Sequence, residues 1–276
     1  MINEINSVLK KNGITDEISL TDITITNDTV SDIVKENPKF SNLIIEKIWP
    51  AIQTEEVYHY TSKDSAESIL NTNEFRLYSL LKRFNDGEVK EFCNNHNLNG
   101  YLATGVSGEP LYQTELMSNM YYASFADSKI TNKQDEYLWR TFAPVDGVRL
   151  KLKIEASSDN FRQIVYEKSQ GQGIQLLKEL TDEIKNKFNR DFILKGISRL
   201  CAFYLEEGYE VESEYRMLHR VWSDYPVKPS FDGHFHYVSF PLNQMSAIGF
   251  KISVLEIQTN EQLSIPDEYC VSKRNV

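Results

Sequence analysis

Two glutamates and an arginine occur at alternate positions in one stretch of the chain, at Glu212, Glu214 and Arg216. The surrounding residues 211–222 include Val, Tyr and Trp but no Gly or Pro, a composition typical of a β-strand. Because strand side chains alternate between faces, we expect the two carboxylates and the guanidinium to share one face. Such a group can do acid/base or cation-stabilising chemistry, because the arginine relieves the repulsion between the carboxylates. A solvated strand face with cross-strand ion pairs would show the same spacing.

The chain has 276 residues and a formal net charge of −10. This charge argues against non-specific binding of nucleic acid, which requires clustered Lys and Arg. The three cysteines form neither a disulfide framework nor a CxxC metal site and fit a reducing compartment. No apolar run is long enough to span a membrane, and the polar N-terminal residues do not resemble a secretory signal. We therefore predict a cytoplasmic protein without a membrane partner, with delivery as an effector left open.

The first 53 residues look like a separate N-terminal helical segment. Apolar residues at helical spacing predict short helices near the N-terminus, at 29–34 and at 40–49. In residues 54–276, predicted strands and helices are intermixed without the regular alternation of a parallel sheet. This pattern favours an α+β domain with mixed, mainly antiparallel sheets.

The first predicted strand of that domain, at residues 56–62, carries a histidine. Alternation places His59 on one face and Tyr58 and Tyr60 on the other. Ser62 or Asp64 can cap the helix that follows.

Later segments provide further positions for polar side chains. Residues 121–125 predict a strand with Tyr122 and Ser124 on one face. Residues 147–154 alternate strictly between apolar and charged side chains, which predicts a strand with one buried face. Residues 173–207 predict two consecutive helices that lead into the Glu214 strand.

Two further groups of residues carry side chains that can bind metal ions. His234 and His236 share a strand face, but only Asp232 is nearby to complete a zinc site, so we predict no metal. Asp86, Glu88 and Asp135 could serve a metal-dependent nuclease. Capping of the next helix by Asn85, with Glu88 three residues on, explains Glu88 without catalysis.

Four short motifs, taken together, resemble a widespread bacterial domain of unknown function, the DUF twenty-nine seventy-one family. The resemblance covers roughly residues 56–255. The motifs are Tyr58-His59-Tyr60-Thr61-Ser62, Phe84-Asn85-Asp86 with Glu88, Tyr122-Ala123-Ser124-Phe125 with Asp135 and Trp139, and Glu212-Ser213-Glu214-Tyr215-Arg216.

The order of histidine, serine and Glu-x-Glu is also similar to ADP-ribosyltransferase-like folds. That similarity implies antiparallel sheets around a central cleft in residues 54–276, with NAD as the cofactor. It implies catalytic roles for Glu214, Glu212 and His59. The implied cofactor-binding residues are His59, Tyr60, Thr61, Tyr78, Ser124, Arg140 and Arg216.

The similarity also implies a role for each side chain. Loss of nicotinamide leaves an oxocarbenium-like ribose, which the Glu214 carboxylate would stabilise. Glu212 would orient or deprotonate the acceptor, and His59 would hydrogen-bond a ribose hydroxyl. Ser124 would hold Glu214 in place. Either Tyr78 or Tyr122 would lie near the nicotinamide, and Arg216, Arg140 or Arg76 would meet the pyrophosphate.

We therefore predict NAD-dependent ADP-ribosyl transfer, or NAD hydrolysis, with the macromolecular acceptor left open. Toxin, effector or phage-defence roles are what such families suggest. One alternative is a non-catalytic module that binds a nucleotide or a partner through the same cleft. The other is the metal-dependent nuclease.

Overall fold

The computed structural model describes residues 1–33, 38–81, 87–168, 172–193, 200–221 and 227–274. These residues combine helices with mixed, mostly antiparallel sheets, which confirms the predicted α+β class. The chain divides into two compact units, each assembled from three separate segments. Unit 1 comprises Met1–Pro50, Leu80–Met120 and Val165–Glu207, and unit 2 comprises Ala51–Ser79, Tyr121–Ile164 and Gly208–Val276.

Helices and strands follow each other irregularly along the chain. None of the described helices is both long enough and apolar enough to cross a membrane. In chain order the elements are α1 (Ile2–Lys11), a 3₁₀ turn (Leu20–Asp22), β1 (Ile23–Ile25), β2 (Thr29–Asp32), α2 (Lys39–Ile48), β3 (Thr54–Thr61), α3 (Lys63–Thr72), β4 (Glu74–Ser79), α4 (Glu88–Asn95), α5 (Asn99–Leu102), a π-helical turn (Tyr112–Met117), β5 (Met120–Asp127), α6 (Asn132–Phe142), β6 (Val148–Ala156), β7 (Phe161–Gln163), β8 (Val165–Tyr166), α7 (Gln175–Phe188), β9 (Asp191–Ile193), β10 (Tyr204–Leu205), a 3₁₀ helix (Glu207–Glu212), β11 (Glu214–Arg220), β12 (Ser230–Phe231), β13 (His236–Pro241), β14 (Phe250–Thr259) and β15 (Val271–Ser272).

The predicted split into residues 1–53 and 54–276 differs from the observed units. A boundary does fall at Pro50, but residues 80–120 and 165–207 belong with the N-terminal residues. The N-terminal part is also not purely helical. Its predicted helix at 29–34 is instead strand β2, which pairs with β1 and β9 in a small sheet. The β-branched residues there favour a strand once partners are available.

Unit 1 contains helices and two small sheets. Helix α1 packs against α7, and Lys11 and Asn12 at the end of α1 both reach the Glu179 carboxylate on α7 at 2.8 and 2.9 Å. The first predicted helix of residues 173–207 is α7. The second is wrong in part, because β9 and β10 occupy its two ends and pair with β2 and β8. Residues 194–199, which carry Ile197 of that predicted helix, lie outside the described residues.

Unit 2 is built on a large sheet to which ten of the described strands belong. Eight strands follow the order β12-β13-β4-β5-β3-β6-β14-β15, while β11 pairs with β5 and β7. The predicted alternation along β6 is confirmed, since every second residue from Val148 to Ala156 is buried. One face of this sheet forms the main hydrophobic core with helix α3.

The starts of three helices in these units test the capping predictions. Ser62 caps α3, and its side chain accepts from the Ser65 amide, as predicted. Helix α4 begins at Glu88 with Gly87 at its N-cap, so a capping box from Asn85 to Glu88 is wrong; Asn85 itself lies outside the described residues. Helix α6 begins at Asn132, where Thr131 and Gln134 form a capping box.

A buried histidine in unit 1 closes the start of α7. The His96 Nδ1 lies 2.6 Å from the Phe92 carbonyl oxygen, and its Nε2 lies 2.6 Å from the Ile174 amide nitrogen. Since the amide can only donate, Nε2 must accept and Nδ1 must carry the proton. Burial lowers the pKa of His96 to about 4. The ring is therefore neutral at neutral pH and locked in one tautomer.

We expect the free energy of unfolding to fall as the pH drops from about 6.5 to about 4. The unfolded chain takes up a proton on His96 near its ordinary pKa of 6.5, whereas the folded chain does so only near 4. Because of this difference in pKa, His96 contributes up to about 3 kcal/mol to the free energy of unfolding above pH 6.5, relative to its contribution below pH 4. Urea denaturation across this pH range measures the summed loss from His96, His59 and His219, because burial lowers the pKa of each to about 4. NMR of the imidazole nitrogens follows His96 itself. A folded-state His96 signal that titrates near pH 6.5 would contradict the assignment.

Candidate functional site

Strand β11 carries the Glu214 carboxylate on the face opposite to the core of unit 2. Tyr215 and Met217 belong to the main hydrophobic core. Because side chains alternate along a strand, Glu214 and Arg216 point to the other face, as predicted. We call this side of the sheet the Glu214 face.

Glu212 does not share that strand. It ends a 3₁₀ helix, and β11 starts only at Glu214. Between them Ser213 has a φ of 45°, which breaks the strand alternation. The prediction that Glu212 and Glu214 occupy equivalent positions on one strand face is therefore wrong.

Glu214 and Arg216 form a buried, two-pronged ion pair. Arg216 Nε lies 2.6 Å from Glu214 Oε1, and Nη2 lies 2.9 Å from Oε2. Only 6% of the Glu214 side chain and 1% of the Arg216 side chain are exposed. Charge-assisted pairs of this geometry are strong and fix the direction of the carboxylate. Their removal from water is costly, so each partner depends on the other.

Three tyrosines lie side by side on the Glu214 face, across three neighbouring strands. Tyr122 on β5 is directly opposite Tyr78 on β4, and Tyr78 is directly opposite Tyr237 on β13. The rings of Tyr78 and Tyr237 are 6.0 Å apart. All three side chains are partly exposed. We call Tyr122, Tyr78 and Tyr237 the tyrosine row.

An arginine lies over each end of the tyrosine row. The guanidinium carbon of Arg216 is 5.9 Å from the ring centre of Tyr122, and that of Arg76 is 4.4 Å from the ring centre of Tyr237. The row thus joins flat aromatic surfaces to two cations, with Glu214 bound to one of them. Tyr78, Tyr122, Arg76 and Arg216 were predicted from the sequence, whereas Tyr237 was not. The alternation along residues 236–241 would have indicated its face, whereas its strand partner depends on long-range pairing.

His59 lies on the other side of the sheet. Its ring contacts Phe75 and Phe125, with centroids 5.3 and 5.6 Å away, and both phenylalanines belong to the main core. Tyr215 of β11 belongs to that core too, so the sheet separates the His59 ring from the Glu214 carboxylate. The prediction that the two side chains face one cleft is wrong, because β3 presents His59 inward.

His59 nevertheless has a polar contact. Its Nδ1 lies 3.2 Å from the backbone carbonyl oxygen of Ser124 on β5. Burial lowers the pKa of His59 to about 4, so the ring is neutral at neutral pH. The Ser124 side chain alternates with Phe125 and so lies on the Glu214 face, as expected for a residue near Glu214. Thr61 shares the His59 face.

Tyr60 contacts helix α6 and helps to hold it against the sheet. Its hydroxyl donates to Asp135 Oδ1 at 2.5 Å, and Arg149 Nη1 donates to the same oxygen at 2.6 Å. Arg149 also lies over the ring of Tyr58, 4.1 Å from its centre. Burial raises the pKa of Tyr60, and the bond to Asp135 adds to the effect. Arg149 was not predicted from the sequence as part of this network.

Three of the remaining candidates are exposed side chains. Arg140 is exposed on α6 and pairs with Glu136 one turn away. His234 and His236 are exposed near the edge strand β12. No set of three His, Cys, Asp or Glu side chains in the described part of the chain could hold a metal ion. Asp86 of the nuclease hypothesis lies outside the described residues, and Asp135 accepts from Tyr60 and Arg149.

Searches for related proteins covered protein-family models, curated proteins and solved structures. None of the three found a match to this chain. A function for this chain can therefore be inferred only from the site itself.

Replacing Arg216 with Met should leave the Glu214 carboxylate buried without its fork. We expect the free energy of unfolding to fall by about 3–5 kcal/mol, the usual cost of removing one partner of a buried ion pair. The matched control is Arg140→Met, which breaks an exposed pair and should cost about 0.5 kcal/mol or less. Urea denaturation at neutral pH measures both variants. Equal losses in the two variants would contradict the burial argument.

Proposed function

We propose that the chain binds NAD on the Glu214 face of unit 2 and transfers its ADP-ribose to an acceptor, or to water. The observation that carries the proposal is the Glu214–Arg216 pair at one end of the tyrosine row. It joins an acid, a cation and flat aromatic rings on one sheet face. These are the groups that chemistry at a nicotinamide–ribose bond requires.

The reaction breaks the bond between the ribose C1′ and the nicotinamide nitrogen. The bonding electrons leave with nicotinamide, and positive charge develops on the sugar. A carboxylate fixed beside the sugar stabilises that charge, the role we assign to Glu214. An acceptor oxygen or nitrogen, or water, then bonds to C1′ and loses its proton.

The Arg216 fork is compatible with this role. Both oxygens of the Glu214 carboxylate accept from Arg216, at 2.6 and 2.9 Å. Arg216 stays protonated at any physiological pH and holds the carboxylate in one orientation. An acid held in this way needs little reorganisation when charge develops on the sugar.

The tyrosine row supplies binding surface. A tyrosine ring can stack on the nicotinamide or the adenine, and guanidinium groups suit a pyrophosphate. Tyr78, at the centre of the row, is the tyrosine that we propose for stacking. We propose Arg76, at the outer end of the row, for the pyrophosphate. Glu212 keeps its proposed role of orienting the acceptor, now from the end of the 3₁₀ helix, whereas His59 is given no contact with NAD.

The test is release of nicotinamide from NAD by the purified chain, followed by chromatography. Glu214→Gln keeps the size and one acceptor oxygen but removes the charge. We expect turnover to fall by about 100-fold or more, comparable to the loss of a key electrostatic group in other enzymes. The control is Glu256→Gln, an exposed acid on β14, which should keep turnover within about twofold. A Glu214→Gln chain that turns over NAD like the wild type would sink the proposal.

A second test concerns the stacking surface. Tyr78→Ala should weaken NAD binding about tenfold, since one aromatic–base stack contributes about 1–3 kcal/mol. Tyr78→Phe retains the ring and should bind NAD within about threefold of the wild type. Calorimetric titration with NAD measures both. If Tyr78→Phe weakens binding as much as Tyr78→Ala, the hydroxyl matters and stacking does not.

A non-catalytic nucleotide-binding module is the alternative that one observation favours. The Glu214 side chain is only 6% exposed and is already held by Arg216. NAD binding that depends on Tyr78, without nicotinamide release, would establish the module. Toxin, effector or phage-defence roles were suggested by the sequence resemblance alone, and the site gives no support for them.

A further inference from the structure

The residue directly before Glu214 has a backbone conformation that residues other than glycine rarely adopt. Ser213 has a φ of 45°. Its amide donates to the Glu210 carbonyl oxygen at 3.1 Å, and its carbonyl oxygen accepts from the Asp127 amide at 3.0 Å. Its hydroxyl oxygen accepts from Gln134 Nε2 at 3.0 Å. A strained residue persists only where its surroundings hold it, and such residues cluster at functional sites.

The Gln134 side chain bonds through both ends of its amide. Its Oε1 accepts from the Thr131 amide at 3.0 Å and from the Thr131 hydroxyl at 2.9 Å, which completes the capping box of α6. Its Nε2 donates to Ser213 Oγ and to the Val211 carbonyl oxygen at 3.2 Å. One side chain thus ties the start of α6 to the end of the 3₁₀ helix that precedes β11.

Both elements that this contact joins are firmly held. Helix α6 buries Leu138 and Trp139 in a cluster with Tyr60 and Ala126 of the sheet. On the strand side, the Glu214 carbonyl oxygen accepts from the Ile164 amide at 2.9 Å. Gln134 therefore connects a packed helix to the turn that sets where β11 begins.

We infer that Gln134 is a positioning residue for Glu214. Its amide group holds Ser213 in the left-handed conformation and so fixes the direction in which the Glu214 side chain leaves the backbone. The catalytic consequence rests on the proposed function, whereas the positioning itself is a property of the fold. Gln134 touches no reacting atom in this proposal.

Gln134→Glu separates this role from helix capping. Glutamate serves the capping box as well as glutamine does, but it has no N–H donor for Ser213 and Val211. Its second oxygen would face the Val211 carbonyl and be repelled. The matched control is Thr131→Ala, which removes the hydroxyl bonds of the capping box and leaves the Thr131 amide bond and the Gln134 donors intact.

The first readout is steady-state release of nicotinamide from NAD. We expect Gln134→Glu to lower kcat about tenfold, with KM within about twofold, because a small displacement of a catalytic group is costly. Thr131→Ala should keep kcat within about twofold. An equal loss of kcat in the two variants, or a Gln134→Glu effect on KM alone, would overturn the positioning role.

The second readout does not depend on NAD. The Asp127 amide, bonded to Ser213, and the Arg216 Nε–H, bonded to Glu214, can be followed by NMR hydrogen exchange. Gln134→Glu should speed the exchange of both, and Thr131→Ala should change neither. Wild-type exchange rates in Gln134→Glu would overturn the inference. A wild-type chain without turnover would overturn the proposed function alone.

Discussion

The buried ion pair between Glu214 and Arg216 is the interaction on which the rest of the candidate site depends. Neither charge could be removed from water without the other. The pair fixes the polar end of β11, and Arg216 in turn lies over Tyr122 at the inner end of the tyrosine row. One contact between residues two positions apart thus links the Glu214 carboxylate to the tyrosine row.

The large sheet acts as a partition between two chemical environments. On one face His59 contacts the rings of Phe75 and Phe125, and burial lowers its pKa to about 4, so the ring is neutral at neutral pH. On the other face an acid and several arginines are paired with each other or with aromatic rings. His59 is connected to β5 by the contact of its Nδ1 with the backbone carbonyl oxygen of Ser124, whose side chain lies on the other face. Strands β3, β5 and β11 each contribute side chains to both faces.

Local patterns predicted the features that depend on neighbouring residues. The alternation along β6, the Ser62 cap and the common face of Glu214 and Arg216 all follow from short-range rules and are observed. The position of Glu212 was predicted wrongly because a serine in the sequence does not indicate the left-handed backbone that Ser213 adopts. It depends on hydrogen bonds from Asp127 and Gln134, which are distant in sequence.

Features set by long-range pairing could not be predicted in this way. Alternation predicted correctly that His59 opposes Tyr58 and Tyr60, but it could not say which face would become the core. That choice depends on where Phe75, Phe125 and Tyr215 meet. Local pattern was also insufficient for strand β2, because its residues suit a helix as well, and only the pairing with β1 and β9 makes them a strand. The tyrosine row requires the register of three strands, which no single segment encodes.

The interleaved segments of the two units bear on how the chain is synthesised. The backbone passes between the units five times, at residues 50–51, 79–80, 120–121, 164–165 and 207–208. A nascent chain cannot complete unit 1 until residue 207 has left the ribosome, although helix α1 of that unit is synthesised much earlier. Apolar surfaces of early segments therefore stay exposed until their partners in the later segments are synthesised. During this period, association with chaperones or with other nascent chains competes with folding.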